Sequence, residues 1–107
     1  MSKRRVVVTG LGLVSPVGND VESSWEAMKS GKSGISTLTQ IDTSDFTTHF
    51  GGSIKDFDCE RYIPTKDARR MDVFMHYGIA AGVQAFDDSG LGEADFNPER
   101  FGVAVGS

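Results

Sequence analysis

The sequence predicts an α/β fold in which buried strands are covered by helices, and three observations lead to this prediction. The consecutive valines at residues 6–8 are typical of a strand that is buried on both faces, as in a parallel sheet. Apolar residues then recur with the helical period at 19–31 and again at 72–90. The apolar segment ERFGVAVGS at 99–107 predicts a second strand of the same two-sided kind.

The composition argues against several classes of protein. The 107 residues are 38% hydrophobic and 24% charged, as in an ordinary globular domain, and the formal net charge of −4 argues against a nucleic-acid-binding protein. The apolar run that follows Arg5 is broken by Gly10 and Gly12, so it is too short for a signal peptide or a membrane span. Because Cys59 is the only cysteine, no internal disulfide can form, and we expect a reducing, cytoplasmic location.

Residues 19–31, NDVESSWEAMKSG, predict the first helix. Asn19 or Asp20 can cap its start, because a side-chain oxygen there accepts a hydrogen bond from a free N–H group of the first turn. Gly31 can end the helix in the left-handed conformation. Three apolar residues share one face of this helix through the spacing i, i+4 and i+7: Val21, Trp25 and Met28.

A longer helix is predicted for residues 73–89, with Asp72 as its N-cap and Gly90 as its stop. Apolar residues cover more than half of its circumference, which predicts a helix buried between layers. Gly78 and Gly82 each cost roughly 1 kcal/mol of helix propensity relative to alanine. We expect another backbone to pass close to both glycines, since such an approach would explain why small residues stand there.

The segment between the helices carries weaker signals. Serine, threonine and glycine are frequent from 32 to 62, where FGGSIK at 50–55 predicts a short strand. Two or three strands and two main helices cannot supply the strand neighbours and helical layers that a parallel sheet needs. We therefore expect residues 1–107 to be the front part of a larger protein.

The glycine-rich opening VTGLGLVSPVG partly resembles a dinucleotide-binding loop. Gly10 and Gly12 match the first two glycines of G-x-G-x-x-G, but Ser15 and Pro16 follow where the third glycine and the helix should begin. A strand followed by a tight turn is the favoured interpretation. A nucleotide-dependent oxidoreductase remains the remote alternative, and no cofactor-binding residue is assigned.

The cysteine and the histidines do not form a recognisable reactive site. Cys59 lies between Asp58 and Glu60, whose charges oppose formation of the thiolate, so we interpret it as a structural thiol. His49 and His76 lack the spacing of metal ligands and have no nearby cysteine. The sequence therefore assigns no catalytic residue and no metal ligand.

Three cations stand close together in the segment TKDARRMDVF. If residues 66–70 form a helical turn, Lys66, Arg69 and Arg70 take the positions i, i+3 and i+4 on one face. Taken alone, these residues favour a solvated helix face that Asp67 and Asp72 partly neutralise.

Several segments together resemble a known family. SKRRVVVTGLGLVSPVGNDVESSW, SGKSGIS, RRMDVFMHYGIAAGVQAFDDSGL and RFGVAVGS are similar to the N-terminal portion of type II β-ketoacyl-acyl carrier protein synthases. These are elongating condensing enzymes of the thiolase-like superfamily. The resemblance runs in register along essentially the whole chain. It implies that residues 1–107 are the incomplete N-terminal half-domain of a thiolase-like fold with five α-β-α-β-α layers.

The resemblance also implies an activity, a partner and a site. The family elongates fatty acids by decarboxylative Claisen condensation, without a cofactor, and is usually homodimeric. Its nucleophilic cysteine and two catalytic histidines align beyond residue 107, and Cys59 does not match the nucleophile. Cations that align with Lys66, Arg69 and Arg70 receive the acidic acyl carrier protein. A ketosynthase domain of a polyketide synthase and a non-catalytic docking module remain alternatives.

Overall fold

Helices dominate the regular structure of residues 2–107, which are the residues described by the computed structural model. The three α-helices are α1 (Val21–Lys29), α2 (Thr65–Ala68) and α3 (Val73–Ser89). Two strands, β1 (Ile35–Thr37) and β2 (Phe50–Gly52), form an antiparallel hairpin. Short 3₁₀ turns lie at Cys59–Arg61, Leu91–Glu93 and Pro98–Arg100.

Local capping signals set the ends of the two longer helices. Asp72 precedes α3 in an extended conformation, although its side chain makes no capping hydrogen bond. Gly90 ends α3 with φ of 71°, a left-handed conformation that glycine adopts without steric cost. Asp20 caps α1 by accepting a 2.7 Å hydrogen bond from the Ser23 N–H group, and Gly31 follows with φ of 71°. The stops of both helices and the Asp20 cap are confirmed, whereas Asp72 takes the N-cap position of α3 without the capping hydrogen bond.

Helix α1 packs through a different face from the apolar one. Its buried residues are the small Ser24 and Ala27, and the Ser24 hydroxyl lies 2.9 Å from the hydroxyl of Ser15. Of the three residues on the predicted apolar face, Val21 is half-buried, whereas Trp25 and Met28 are 56% and 60% exposed. Small residues are needed on the buried face of α1 because the tight turn at Ser15 packs closely against it.

The opening segment lies directly on α3. A Cβ atom at Gly12 would collide with the carbonyl oxygen of Ala81 and would stand 2.8 Å from the backbone nitrogen of Ala85. A Cβ atom at Gly10 would collide with the carbonyl oxygen of Ala85. Real Cβ atoms do not approach other atoms so closely, so only glycine fits at these two positions. The glycines of VTGLG therefore allow a backbone to pack on a helix.

Two polar side chains of α3 bind the backbone of this opening segment. The N–H group of Leu11 donates to Asp88 Oδ2 at 2.9 Å, and that of Leu13 donates to Gln84 Oε1 at 3.0 Å. In a sheet, the N–H groups of Leu11 and Leu13 would donate to a neighbouring strand. Here they donate to side chains of α3 instead.

Gln84 also joins two further segments to α3. Its Nε2 group donates to the carbonyl oxygen of Asn19 at 2.8 Å and to the hydroxyl of Tyr62 at 3.0 Å. The start of α1 and the segment before α2 are therefore both held to the same helical turn of α3.

The hairpin is tied to the turn before α1 by one lysine. In the hairpin, Ile35 pairs with Gly52, so the strand predicted in FGGSIK is confirmed for its first three residues. Lys55 Nζ donates to the carbonyl oxygens of Gly34 at 2.9 Å, Ser53 at 3.0 Å and Pro16 at 3.3 Å. The ammonium group thus uses three donors to connect three loops.

Two predictions about strands are wrong for this chain. Residues 6–8 and 99–107 form no strand, and Val6 and Val103 are 91% and 77% exposed rather than buried on two faces. A strand requires a neighbour whose backbone completes the hydrogen-bonded ladder, and residues 2–107 provide none beside either segment. The apolar patterns are present, but the partners that they require are not among these residues.

The prediction for Gly78 and Gly82 is also wrong within residues 2–107. No heavy atom of a neighbouring segment lies within 4 Å of a Cβ atom placed at either position. Both glycines instead line an open apolar groove of about 620 Å³ between α3 and residues 103–107. The close backbone approach to α3 occurs on another face, where Ala81 and Ala85 meet the opening segment.

We predict that Gly12→Ala strongly destabilises the protein. The added methyl group overlaps backbone atoms of α3, and overpacking of this kind typically costs about 1–3 kcal/mol. Gly92→Ala is the matched control, because its Cβ would meet only the Phe86 ring at an ordinary 3.4 Å. Denaturant unfolding of both variants measures the difference, and equal midpoints would show that the opening segment does not pack tightly on α3.

A second prediction concerns the cap of α1. Hydrogen bonds from the Ser23 hydroxyl and N–H group hold the pKa of Asp20 below its ordinary value of 3.8. Because the folded pKa is depressed, this stabilisation is present above the unfolded pKa and is lost as the pH falls through the folded pKa. Asp20→Ala should cost about 1 kcal/mol near neutral pH, and Asp20→Asn much less. Denaturant unfolding at several pH values measures this difference. If the free energies of unfolding of the wild type and Asp20→Ala differ by the same amount at neutral and at acidic pH, Asp20 does not stabilise the helix through its charged form.

Candidate functional site

The three predicted cations lie on one helical turn. Lys66 belongs to α2, Arg69 caps it with helical φ and ψ of −65° and −17°, and the N–H group of Arg70 donates to Asp67 O at 3.0 Å. The helical geometry that the sequence predicts for 66–70 is therefore confirmed. We call residues 65–70 the cationic turn.

The cationic turn is held at both of its ends. Before it, the side chain of Ile63 is buried, and the Thr65 hydroxyl donates to Glu60 Oε1 at 2.9 Å. After it, the carbonyl oxygen of Ala68 is 3.0 Å from Nε2 of His76 on α3. These contacts matter because a helix of four residues has too few internal hydrogen bonds to be stable alone.

The cations of this turn face solvent without carboxylate partners. Lys66, Arg69 and Arg70 are all exposed. Within residues 2–107 the one ion pair joins Lys29 to Glu26, so neither Asp67 nor Asp72 neutralises the turn through a salt bridge. Exposed and unpaired cations on a fixed turn can attract an acidic surface.

The cysteine and the histidines each have ordinary surroundings. Cys59 is half-buried in a 3₁₀ turn, and His49 Nδ1 lies 3.1 Å from the Thr43 hydroxyl. Across residues 2–107 no group of three or more histidine, cysteine or acidic side chains is placed to hold a metal ion. None of the helices in the described part of the chain is long and apolar enough to cross a membrane.

One concave surface was not predicted from the sequence. A cleft of about 490 Å³ lies between α1 and α3, with four carboxylates and an exposed indole on its walls: Asp20, Glu22, Asp87, Asp88 and Trp25. Two of these carboxylates already have structural roles, since Asp20 caps α1 and Asp88 binds the Leu11 N–H group. Asp20 and Glu22 are more than sixty positions from Asp87 and Asp88 in the sequence, so no local spacing could have indicated that they share a cleft.

Known proteins that are similar to this chain show the family to which it belongs. Residues 3–107 match the family described as "Beta-ketoacyl synthase, N-terminal domain", so the chain belongs to the β-ketoacyl synthase family. The solved structure of the ishigamide ketosynthase/chain length factor is similar over 83% of this chain and 22% of its own, with 34% identity and a TM-score of 0.72. The thiolase-like α/β fold class predicted from the sequence is confirmed by these two findings.

Individual relatives are closer in sequence. The 3-oxoacyl-[acyl-carrier-protein] synthase 2 of Vibrio cholerae is 60% identical over 107 residues, which is 100% of this chain and 26% of that protein. The synthase of the same name from Coxiella burnetii is 45% identical over the same share of both chains. The chain thus spans about a quarter of the length of these curated relatives, and the predicted resemblance is confirmed.

Proposed function

We propose that this chain is the N-terminal part of a 3-oxoacyl-acyl carrier protein synthase that elongates fatty acids. The supporting observation is its identity of 60% with the synthases 2 of Vibrio cholerae and Vibrio harveyi over all 107 residues. In the proposed reaction an acyl group passes from the carrier thioester to a cysteine of the enzyme. Malonyl-carrier then loses carbon dioxide, and the resulting carbanion attacks the acyl-enzyme. The reaction requires no cofactor.

We further propose that residues 1–107 support this reaction without performing its chemistry. The family resemblance implies that the nucleophilic cysteine and the two histidines lie beyond residue 107, in further polypeptide. The exposed valines at 6–8 and the open apolar groove along α3 are surfaces that such polypeptide would cover. The proposed protein is cytoplasmic and homodimeric, as the family resemblance implies.

The proposed task of the cationic turn is to dock the acyl carrier protein. The carrier is small and acidic, and it must bind briefly, deliver its acyl arm and leave. Lys66, Arg69 and Arg70 suit this task because they are exposed, unpaired and on one helical turn. Complementary charges of this kind speed encounter and select the partner without making the complex tight.

Docking predicts a selective loss of activity toward carrier-bound substrates. In the full-length protein, single alanine changes at the three cations should raise KM only a few-fold, since exposed ion pairs contribute roughly 0.2–1 kcal/mol each. Replacing all three by glutamate adds repulsion, so KM for the acyl-carrier should rise by about tenfold or more while kcat changes little. Steady-state kinetics with acyl-carrier and malonyl-carrier measure these values.

Two controls distinguish docking from a structural role. Acyl and malonyl thioesters that both lack the carrier protein should condense equally well with the triple glutamate variant. Lys32→Glu changes an exposed cation outside the turn and should leave the rates with carrier-bound and carrier-free substrates unaffected. Salt at roughly 1 M should remove much of the wild-type advantage, because the Debye length falls to about 3 Å. If the triple variant loses activity equally toward the carrier-free thioesters, the cations stabilise the fold and the docking proposal fails.

A further inference from the structure

The hydrogen bond between His76 and Ala68 joins the cationic turn to α3. His76 Nε2 and Ala68 O are 3.0 Å apart, and His76 is half-buried. A backbone carbonyl can only accept, so the Nε2 atom carries the hydrogen and donates it. The neutral ring with its proton on Nε2 and the imidazolium both make this bond. The contact is therefore a hydrogen bond that α3 donates to α2.

The position of the acceptor makes this link effective. Ala68 is the last residue of α2, and carbonyl groups at the end of a helix lack the full set of helical donors. Its oxygen accepts one hydrogen bond from the Met71 N–H group at 3.1 Å and a second from His76. Arg69 and Arg70 follow directly, so the restrained peptide group is the one that precedes two of the three cations.

The two helices differ greatly in their own stability. Helix α2 has four residues, whereas α3 has 17 and carries the hydrogen bonds of Gln84 and Asp88 to the opening segment. A short turn gains its fixed orientation from the longer element to which it is tied. Orientation matters for docking, because a pre-organised charged surface loses less conformational entropy when its partner binds.

We propose that His76 is a positioning residue for carrier docking. Its Nε2–H group holds the end of the cationic turn so that Arg69 and Arg70 keep the orientation in which they meet an acidic partner. The inference rests on the proposed docking function of the turn. His76 itself makes no contact with the partner in this account, because its Nε2 atom is already bound to Ala68 O.

Two amide substitutions test the hydrogen bond with matched chemistry. Glutamine places its amide nitrogen about as far from the backbone as the Nε2 atom of histidine, whereas the amide of asparagine is one bond too short. In the full-length protein, His76→Asn should raise KM for acyl-carrier by about two- to tenfold, the change that one net hydrogen bond represents. His76→Gln should restore the wild-type KM. Neither variant should change kcat or the rate with acyl and malonyl thioesters that both lack the carrier protein.

A double-mutant cycle separates this inference from the docking proposal. The reference is the variant in which Lys66, Arg69 and Arg70 are all alanine, and adding His76→Asn to it should raise KM no further, because coupled residues are non-additive. If the triple alanine variant raises KM but His76→Asn does not, the positioning role is wrong and docking stands. If the triple alanine variant leaves KM unchanged, both proposals are wrong. Equal losses toward carrier-bound and carrier-free substrates would identify His76 as a structural residue and overturn the inference.

Discussion

The close packing of a glycine-containing backbone segment on α3 is the constraint on which the rest of the chain depends. Gly10 and Gly12 allow the opening segment to approach the carbonyl groups of Ala81 and Ala85, where any other residue would collide. At this distance Gln84 can reach the backbone of the opening segment while it also binds the start of α1. Helix α3 therefore organises segments that are otherwise connected only by loops.

Helix α3 also fixes the position of the cationic turn. Gln84 binds the hydroxyl of Tyr62 shortly before the turn, and His76 binds the carbonyl oxygen of Ala68 at its end. The exposed charges thus lie on and next to the short helix α2, whose orientation is fixed by its contacts with the long helix α3. This arrangement suits a partner that must recognise charge and geometry quickly and then dissociate.

Local signals in the sequence predicted the local features well. Asp20 and Gly90 mark helix ends through their own backbone and capping chemistry, and the spacing of Lys66 to Arg70 depends on one helical turn. Strands at 6–8 and 99–107 were wrongly predicted for this chain, since a strand needs a distant partner that apolar pattern alone does not provide. The hydrogen bond from His76 to Ala68 depends on how α2 and α3 pack against each other, and residue spacing in the sequence does not predict that packing.

We propose that the cationic turn is the surface that meets the acyl carrier protein. Site-specific photo-crosslinking in the full-length protein tests it directly, with the crosslinking residue placed either at Arg70 or at Trp25, an exposed residue of α1. Docking through the cationic turn predicts a carrier adduct from position 70 that high salt suppresses, and little adduct from position 25. Equal adducts from both positions, or an adduct from position 25 alone, would contradict it.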